Sequence, residues 1–300
     1  MIFMSQRRAA GLVLTGALCY GVLAAFVKIG YSHGLASGTI SGAQFVVGTI
    51  LLWGVAIWKR RYIRKPSLTA MLKLVALGTL MGVTGSLYTA CMQIVPVSVA
   101  VVLLFQFVWI GVLYEWLFQR VIPDRRSLLS VSVSMIGAIC AAGVLDGQLA
   151  QLSLLGVVLG IGSAFSHAGT LYASGKVATE VSPWLRGPLM ATGALLLVLL
   201  LFPPVSIVTE VTWNGFWLLA LAIGLLGMLV PTLCFMFGAP RISTGLATLL
   251  GSVQLPVSVL LAWLAFAEPI SVLQWMGVGF ILAGIAVSQW KRASGAHEQL

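Results

Sequence analysis

The sequence predicts an all-α membrane protein in which ten transmembrane helices form two inverted five-helix repeats. Three observations lead there. The composition carries too little charge for a water-facing surface, basic loops alternate along the chain, and a weak internal repeat runs through it at a near-constant spacing.

Of 300 residues, 60% are hydrophobic and only 8% charged, whereas a soluble domain carries about 25% charged residues. The mean hydropathy of +1.06 agrees. Such a chain suits lipid as its solvent, with polar groups confined to loops and a cavity. The net charge of +10 does not imply a nucleic-acid partner. Its Lys and Arg residues sit in short clusters between apolar runs, a pattern set by membrane orientation. Cys19, Cys91, Cys140 and Cys234 all lie in apolar stretches without metal or disulfide spacing and read as small buried side chains. The first apolar segment is too long for a signal-peptide core and lacks a convincing cleavage motif, so it is expected to be retained.

A helix crossing the hydrocarbon needs about 20 mostly apolar residues. The first candidate runs from 9 to 31, and the second, 38–58, ends at the basic cluster Lys59, Arg60, Arg61, Arg64 and Lys65. The third (70–94) and fourth (96–118) are separated only near Pro96, and the fifth, 127–145, follows Arg120, Arg125 and Arg126. The sixth (153–175) and seventh (184–202) flank Lys176, with Arg186 just inside the seventh, and the eighth, 215–238, precedes Arg241. The ninth (243–266) and tenth (271–290) meet at Glu268-Pro269. Backbone groups in lipid must be satisfied within the segment, so these runs are helices.

The positive-inside rule tests the count. With both termini in the cytoplasm, every Lys and Arg except Lys28 falls on the inner side, and the outward loops hold Asp146, Glu210 and Glu268. A shift by one helix would destroy the alternation, so the expected location is the inner (plasma) membrane, multi-pass.

Ser98–Ala141 and Gly245–Ser288 align at a separation of 147, which places Ala100 on Ala247 and Leu103 on Leu250. A separation of 146 places Ala76-Leu77-Gly78 on Ala222-Ile223-Gly224, and one of 145 places Gly11 on Gly156. The halves are expected at 1–148 and at 149–300, the second with a short cytoplasmic tail. Five helices per half is an odd number, which inverts the second half relative to the first. That arrangement belongs to secondary transporters working by alternating access.

The residues Leu18-Cys19-Tyr20-Gly21 with Lys28, Pro96-x-Ser98-x-Ala100, and Ser243-Thr244-Gly245-Leu246-Ala247 carry a family likeness. Leu255-Pro256, Glu268-Pro269 and Gly277-Val278-Gly279-Phe280-Ile281-Leu282-Ala283-Gly284 extend it. On these motifs the chain resembles the EamA branch of the drug/metabolite transporter superfamily over nearly its whole length. It departs where Trp109 replaces a frequent mid-helix proline, where Arg120-Val121 replaces Gly-Glu, and where Tyr20 replaces tryptophan. The resemblance implies a carrier whose cavity is lined by helices 1, 3, 4, 6, 8 and 9. It also implies export of an amino acid-like or organic metabolite.

Ionisable groups inside a bilayer are costly and face a cavity or a partner. Lys28 has two readings, attraction of a substrate carboxylate or phosphate, and snorkelling to the outer headgroups. Ser163, His167, Thr170 and Ser174 share a face of helix six, with His167 assigned to the cavity. Helix four offers Gln106 and Trp109; Glu115 lies nearly opposite Gln106 and is expected to pair with Lys73, Arg120 or Arg125. Gly78, Gly82, Gly85 and Thr89 line helix three, and Thr244, Thr248, Gly251 and Ser252 line helix nine, faces that suit close packing. Tyr20, Tyr88, Phe105 and Trp109 form a candidate aromatic wall. Pro231, Pro240, Pro256, Gly224 and Gly227 are candidate hinges. The candidate substrate-binding set is Tyr20, Lys28, Tyr88, Gln106, Trp109, His167 and Ser252.

No phosphate-cradling Gly-rich loop ending in Lys-Ser/Thr is present, and no catalytic, cofactor or metal constellation is expected. An intramembrane enzyme acting on a lipid-linked substrate would need acids or histidines that the spans do not contain. A multidrug cation exporter would need a buried carboxylate in the cavity. Expected partners are a small solute and membrane lipid, with protons as an optional coupling ion through Lys28 or His167. One chain suffices to enclose a cavity.

Overall fold

Long apolar runs in lipid satisfy their backbone only as helices, and the described part of every run identified above is largely helical. A computed structural model describes residues 5–63, 65–120, 122, 125–141, 153–202, 215–242, 244–268 and 270–294. Counting each interrupted helix once, these form ten helices and, among the described residues, no strand. They are α1 (Gln6–Ser32), α2 (Ser37–Trp58), α3 (Leu68–Ile94) and α4, in two segments Val97–Leu104 and Phe107–Gln119. There follow α5 (Arg125–Ala141), α6 (Leu154–Ser174), α7 (Pro183–Leu201) and α8 (Phe216–Gly224, continuing through Leu225–Leu229 to Val230–Gly238). The last two are α9, in segments Thr244–Gly251 and Gln254–Phe266, and α10 (Val272–Ser294).

Seven helices are long and apolar enough to cross a membrane unaided, and Val131–Ala141, Gln254–Phe266 and Val272–Ala286 are shorter apolar stretches. Asp146 and Glu210 of the outward loops, together with Arg64, Val121, Ser243 and Pro269, lie outside the described residues, as do the side chains of Arg126, Thr244, Gly245, Thr248, Lys291 and Arg292.

Local chemistry sets several helix starts. The Ser67 and Ser153 hydroxyls accept from Ala70 N and Gly156 N at the beginnings of α3 and α6, satisfying one otherwise orphaned donor each. At α10, Ser271 N donates to Gln274 Oε1 (2.8 Å) and Gln274 N donates to Ser271 Oγ (3.1 Å), a reciprocal capping box. Gly34 turns α1 into α2 at φ +80°, a conformation open to glycine at no steric cost.

The helix pairing obeys a two-fold exchange. α3 packs on α6 and α7, and α8 packs on α1 and α2; α4 packs on α6, and α9 on α1. Three further pairs, α2 with α7, α5 with α10 and α4 with α9, join a helix to its own counterpart. Swapping α1–α5 for α6–α10 leaves these pairs unchanged, whereas the packing of α2 on α3 has no match of its size between α7 and α8. One close crossing recurs at matched positions, tighter in one half than in the other. A Cβ on Gly78 would lie 1.9 Å from the Met190 carbonyl oxygen and one on Gly193 1.8 Å from that of Val75. In the other half Gly224 approaches Val47 and the Gly48 backbone, where a Cβ would lie 3.1 Å from Gly48 N. Only glycine allows backbones so near. Gly78 and Gly224 are the residues that the repeat pairs at 146.

Two ends are distinguished by charge. The basic end carries Lys59–Arg61, Arg120 and Arg241, and the other carries Glu268. A single continuous core fills the Glu268 end, with Val27, Ile40, Met92, Val101, Ile223 and Val259 all 2% exposed or less. Smaller clusters around Leu52–Val198, Leu74–Leu189 and Ile110–Ala168 lie toward the middle and the basic end. Outward-facing Ile50, Ile57, Leu72, Leu155, Leu200, Trp217 and Leu218 are more than half exposed, an apolar surface far beyond what a water-soluble monomer shows.

The fourth span, expected as one continuous helix, and the ninth, where Pro256 is a candidate hinge, are each interrupted. The breaks at Phe105-Gln106 and at Ser252-Val253 fall 147 residues apart, on aligned positions of the repeat. In α8, the segment Leu225–Leu229 widens to a π-helix just before Pro231, which has no N–H for the regular ladder. Pro240 sits in the short 3-10 turn Ala239–Arg241 that ends the helix.

Candidate functional site

The two breaks share a hydrogen-bond pattern. In α4, Gln106 N donates to Leu103 O, Val108 N to Phe105 O, and Ile110 N to Gln106 O. In α9, Val253 N donates to Leu250 O, Leu255 N to Ser252 O, and Val257 N to Val253 O. Each bond maps on its counterpart at 147. Pro256 accounts for the second break, since it has no N–H to offer the preceding turn. No proline stands in α4, and side chains hold the break instead. The i−3 bond of Gln106 N releases the Val102 carbonyl, which accepts from Gln106 Nε2 (2.9 Å). Gln106 Oε1 in turn accepts from Trp109 Nε1 (3.0 Å). Trp109, at the position aligned with Pro256, thus takes part in the same break by a different route.

Beyond the breaks the two helices part. Val97–Leu104 of α4 packs on Gln254–Phe266 of α9. Along both segments α4 packs on α6 and α9 on α1; on the basic side Thr244–Gly251 also packs on α10. The continuous core is therefore at the Glu268 end, with separation below the breaks.

Around the breaks lie most of the candidate residues. His167 meets the Phe107 ring edge-on at 4.8 Å, and Trp109 meets Phe165 at 6.1 Å. Phe105 is buried and packs on Phe107 at 5.5 Å. Tyr20 stacks on Phe235 of α8 at 6.2 Å. Tyr88 packs against the core of the Glu268 end. Ser252, 5% exposed, lies in the α9 break. The structure thus joins Gln106 with Trp109 directly and gives Tyr20 and Trp109 separate aromatic partners in place of one shared wall. On α6, Ser163, Thr170 and Ser174 donate to carbonyls of their own helix. The hydroxyl that ties α6 to α3 is Ser166, bonded to Leu80 O at 2.7 Å, off the stripe that the spacing indicated.

Lys28 acquires a partner that neither reading of the sequence supplied. Its Nζ lies 3.9 Å from Glu268 Oε1. Glu268 accepts from Val97 N (3.1 Å), Ser98 N (3.4 Å) and Ser98 Oγ (3.1 Å). A carboxylate from the end of α9 therefore caps the start of α4 in the other half, where free N–H groups and the helix dipole favour negative charge. The turn that aims it has Ala267 at φ 50°, with Glu268 N bonded to Ala262 O at 3.3 Å, a Schellman-type closure. Its counterpart after α4 is Arg120, at φ 56°.

One further polar group escaped sequence reading. Gln44 of α2, 8% exposed, presses on the π segment, where a Cβ on Gly227 would lie 2.6 Å from its Nε2; it sits among apolar neighbours, where a single Gln leaves no periodic trace. Thr89, on the small-residue face of α3, ties α3 to α2 through Ser41 Oγ (2.6 Å), and its carbonyl accepts from the Tyr31 hydroxyl of α1.

Comparison with known proteins fits this architecture. The model of the EamA-like transporter family matches residues 7–143 and again 154–289. An uncharacterized transporter of Archaeoglobus fulgidus is 26% identical over 208 residues, 68% of this chain and 71% of that protein. A protein of known crystal structure superposes with a TM-score of 0.65 at 18% identity, covering 95% of this chain and 96% of the other. That likeness speaks for the fold alone.

Proposed function

The chain belongs to the EamA-like transporter family, a membrane transporter of the drug/metabolite type, and we propose that it exports a small amino acid-like or organic metabolite by alternating access. One observation supports the mechanism: α4 and α9, broken at matched points, pack on each other on the Glu268 side of their breaks, while beyond the breaks each stays on its own neighbour, α6 or α1. A pair of helices related by a two-fold exchange can adopt the reverse arrangement by trading conformations between halves. The positive-inside rule puts the basic end in the cytoplasm, so the arrangement described corresponds to a carrier sealed outside and accessible from within.

The solute site lies at the breaks, between Gln106, Trp109 and His167 on one wall and Tyr20 and Ser252 on the other. These groups supply ring faces, an amide and a hydroxyl. Lys28 is engaged by Glu268, so the site favours a solute without net charge, such as a zwitterion, over a simple anion. Proton coupling requires a group that changes exposure between states; with Lys28 engaged by Glu268, His167 beside Phe107 is the candidate.

The test is counterflow in proteoliposomes loaded with an amino acid pool, with wild type, Gln106→Ala, Trp109→Ala and His167→Ala compared. Saturable entry that is lost in variants still melting cooperatively supports both carrier and site. Entry unaffected by all three substitutions displaces the site, and entry that fails to saturate sinks the carrier mechanism.

A further inference from the structure

The start of α4 takes its acceptor from a distant part of the chain. The Ser67 and Ser153 hydroxyls cap α3 and α6 from the preceding residue, but the residue before α4 is Pro96, whose side chain caps nothing. The first N–H groups of the helix therefore need an acceptor from outside it. Three donors converge there, Val97 N, Ser98 N and Ser98 Oγ, and the Glu268 carboxylate sits among them at 3.1, 3.4 and 3.1 Å. The donors belong to the first half of the molecule and the carboxylate to the second.

Lys28 stands beside this point with its own bonding incomplete. Its Nζ is 3.9 Å from Glu268 Oε1, longer than a hydrogen bond, and among the described residues it donates no hydrogen bond. An ammonium has three donors to place, and inside a membrane helix it marks a partner or a ligand path. The Lys28 side chain is 35% exposed and that of Glu268 12%. The cation can thus be approached from the outer end, while the carboxylate it faces is largely covered. The four groups around the Glu268 oxygens, Lys28 Nζ and the three donors of α4, present hydrogens alone, a set complementary to a carboxylate.

We propose that Lys28, Ser98 and the start of α4 form a receptor for the carboxylate of a solute at the outer end, and that Glu268 is its tethered occupant. A solute carboxylate and Glu268 compete for the same donors. With Glu268 in place, the receptor ties the two halves together and the outer end is sealed. With a free carboxylate in place, the tie is gone and that end can open. The inference rests on the carrier reading above and deepens it, because it requires the solute to bear a carboxylate, as a zwitterion does. It also gives Lys28 both of its partners, Glu268 in the closed arrangement and the solute in the open one.

The purified full chain, titrated with sodium acetate against sodium chloride at constant ionic strength, tests this without transport. A negative result here leaves the carrier reading standing, and failed counterflow leaves the receptor standing. In Glu268→Ala the receptor is vacant, so acetate should raise the unfolding midpoint saturably, as any ligand of the folded state does. In wild type the receptor is filled, and the same acetate should raise the midpoint far less. Adding Lys28→Gln or Ser98→Ala to Glu268→Ala should increase the half-saturating acetate concentration about fivefold. A second readout leaves Glu268 in place and decides alone should Glu268→Ala not fold. In a chain whose other three cysteines are Ala, acetate should quicken labelling of Cys91 by a membrane-impermeant maleimide about threefold over chloride, and acetamide, of the same size without the charge, should not. The proposal is overturned if acetate acts no differently from chloride in either readout, or if wild type is stabilised as much as Glu268→Ala. Acetate binding unweakened by Lys28→Gln and Ser98→Ala overturns it equally, as does an acetamide effect equal to that of acetate.

Discussion

α4 and α9 follow the same broken path 147 residues apart, with the same three irregular backbone bonds, yet they are held differently. α9 breaks because Pro256 withholds a donor. α4 breaks because Gln106 satisfies the carbonyl that the break releases and is itself fixed by Trp109. Their ends differ too. The segment after α9 delivers Glu268 to the start of α4, whereas the residue aligned with Glu268 after α4 is Val121, which has no acceptor to deliver. Backbone geometry is thus shared between the halves, and side-chain chemistry makes the two faces of the carrier unequal. Among the described residues, a polar latch across the halves stands at the Glu268 face and none at the other.

The strongest way to break the comparison is to remove the latch. Glu268→Ala strips the cap from Val97 and Ser98 and leaves Lys28 without its carboxylate. Loss of hydrogen bonds to a largely buried charged group and of its ion pair costs about 3 kcal/mol, read as a lower midpoint in denaturant. It should also open that end. In a chain whose other three cysteines are Ala, labelling of the fully buried Cys91 by a membrane-impermeant maleimide should quicken by about tenfold. Unchanged labelling would mean that apolar packing alone seals the outer face.

The second test concerns the break itself. Gln106→Leu leaves the Val102 carbonyl without its side-chain donor inside a buried segment, which costs about 2 kcal/mol. If Trp109 and Pro256 are alternative solutions to one geometry, adding Trp109→Pro to Gln106→Leu should recover much of that stability. A double variant less stable than Gln106→Leu alone would show that the two breaks are not interchangeable.

The third test compares the helix ends. Arg120 and Ala267 both adopt positive φ, a conformation that costs a side chain about 1 kcal/mol relative to glycine. Arg120→Gly and Ala267→Gly should each raise the unfolding midpoint, and by similar amounts. Ala267→Gly should additionally leave the Glu268 latch intact, with maleimide labelling of Cys91 at the wild-type rate.

These contrasts also explain what could be read in advance. The helix limits followed from apolar runs, and close packing at Gly78 followed from the small-residue face of α3, since only glycine suits backbones that touch. Gly224, Gly227 and Pro231, read as loosening helix eight, lie in and beside the π segment. The role of Glu268 was hidden because an acid in an outward loop is cheap in water, and nothing local says which helix start it will reach 171 residues away. The break in α4 was hidden because it rests on a pair of side chains, three residues apart, in a run without proline. Gln106 and Trp109 were singled out as polar and deep, but their bond to each other is visible only in three dimensions.

The smallest effect, and the one that sharpens the comparison most, comes from supplying the missing latch. Val121→Glu would place a carboxylate at the position aligned with Glu268, and the two-fold exchange that relates the halves aims it at the start of α9. An acid at a helix N-terminus contributes roughly 0.3–1 kcal/mol, so stability should change little. The consequence is kinetic. A carrier whose basic-end segments of α4 and α9 do not pack on each other would gain a contact that exists only when that end is closed, and the population of the closed arrangement would rise by up to about fivefold. Counterflow should then slow by a corresponding factor if reopening to the cytoplasm limits turnover, and Glu268→Ala in the same chain should slow it further by leaving only the inner latch. Should Val121→Glu leave counterflow unchanged while Glu268→Ala alters it, the inequality of the two faces would lie in the packed core of the outer end, with Glu268 serving mainly to cap α4.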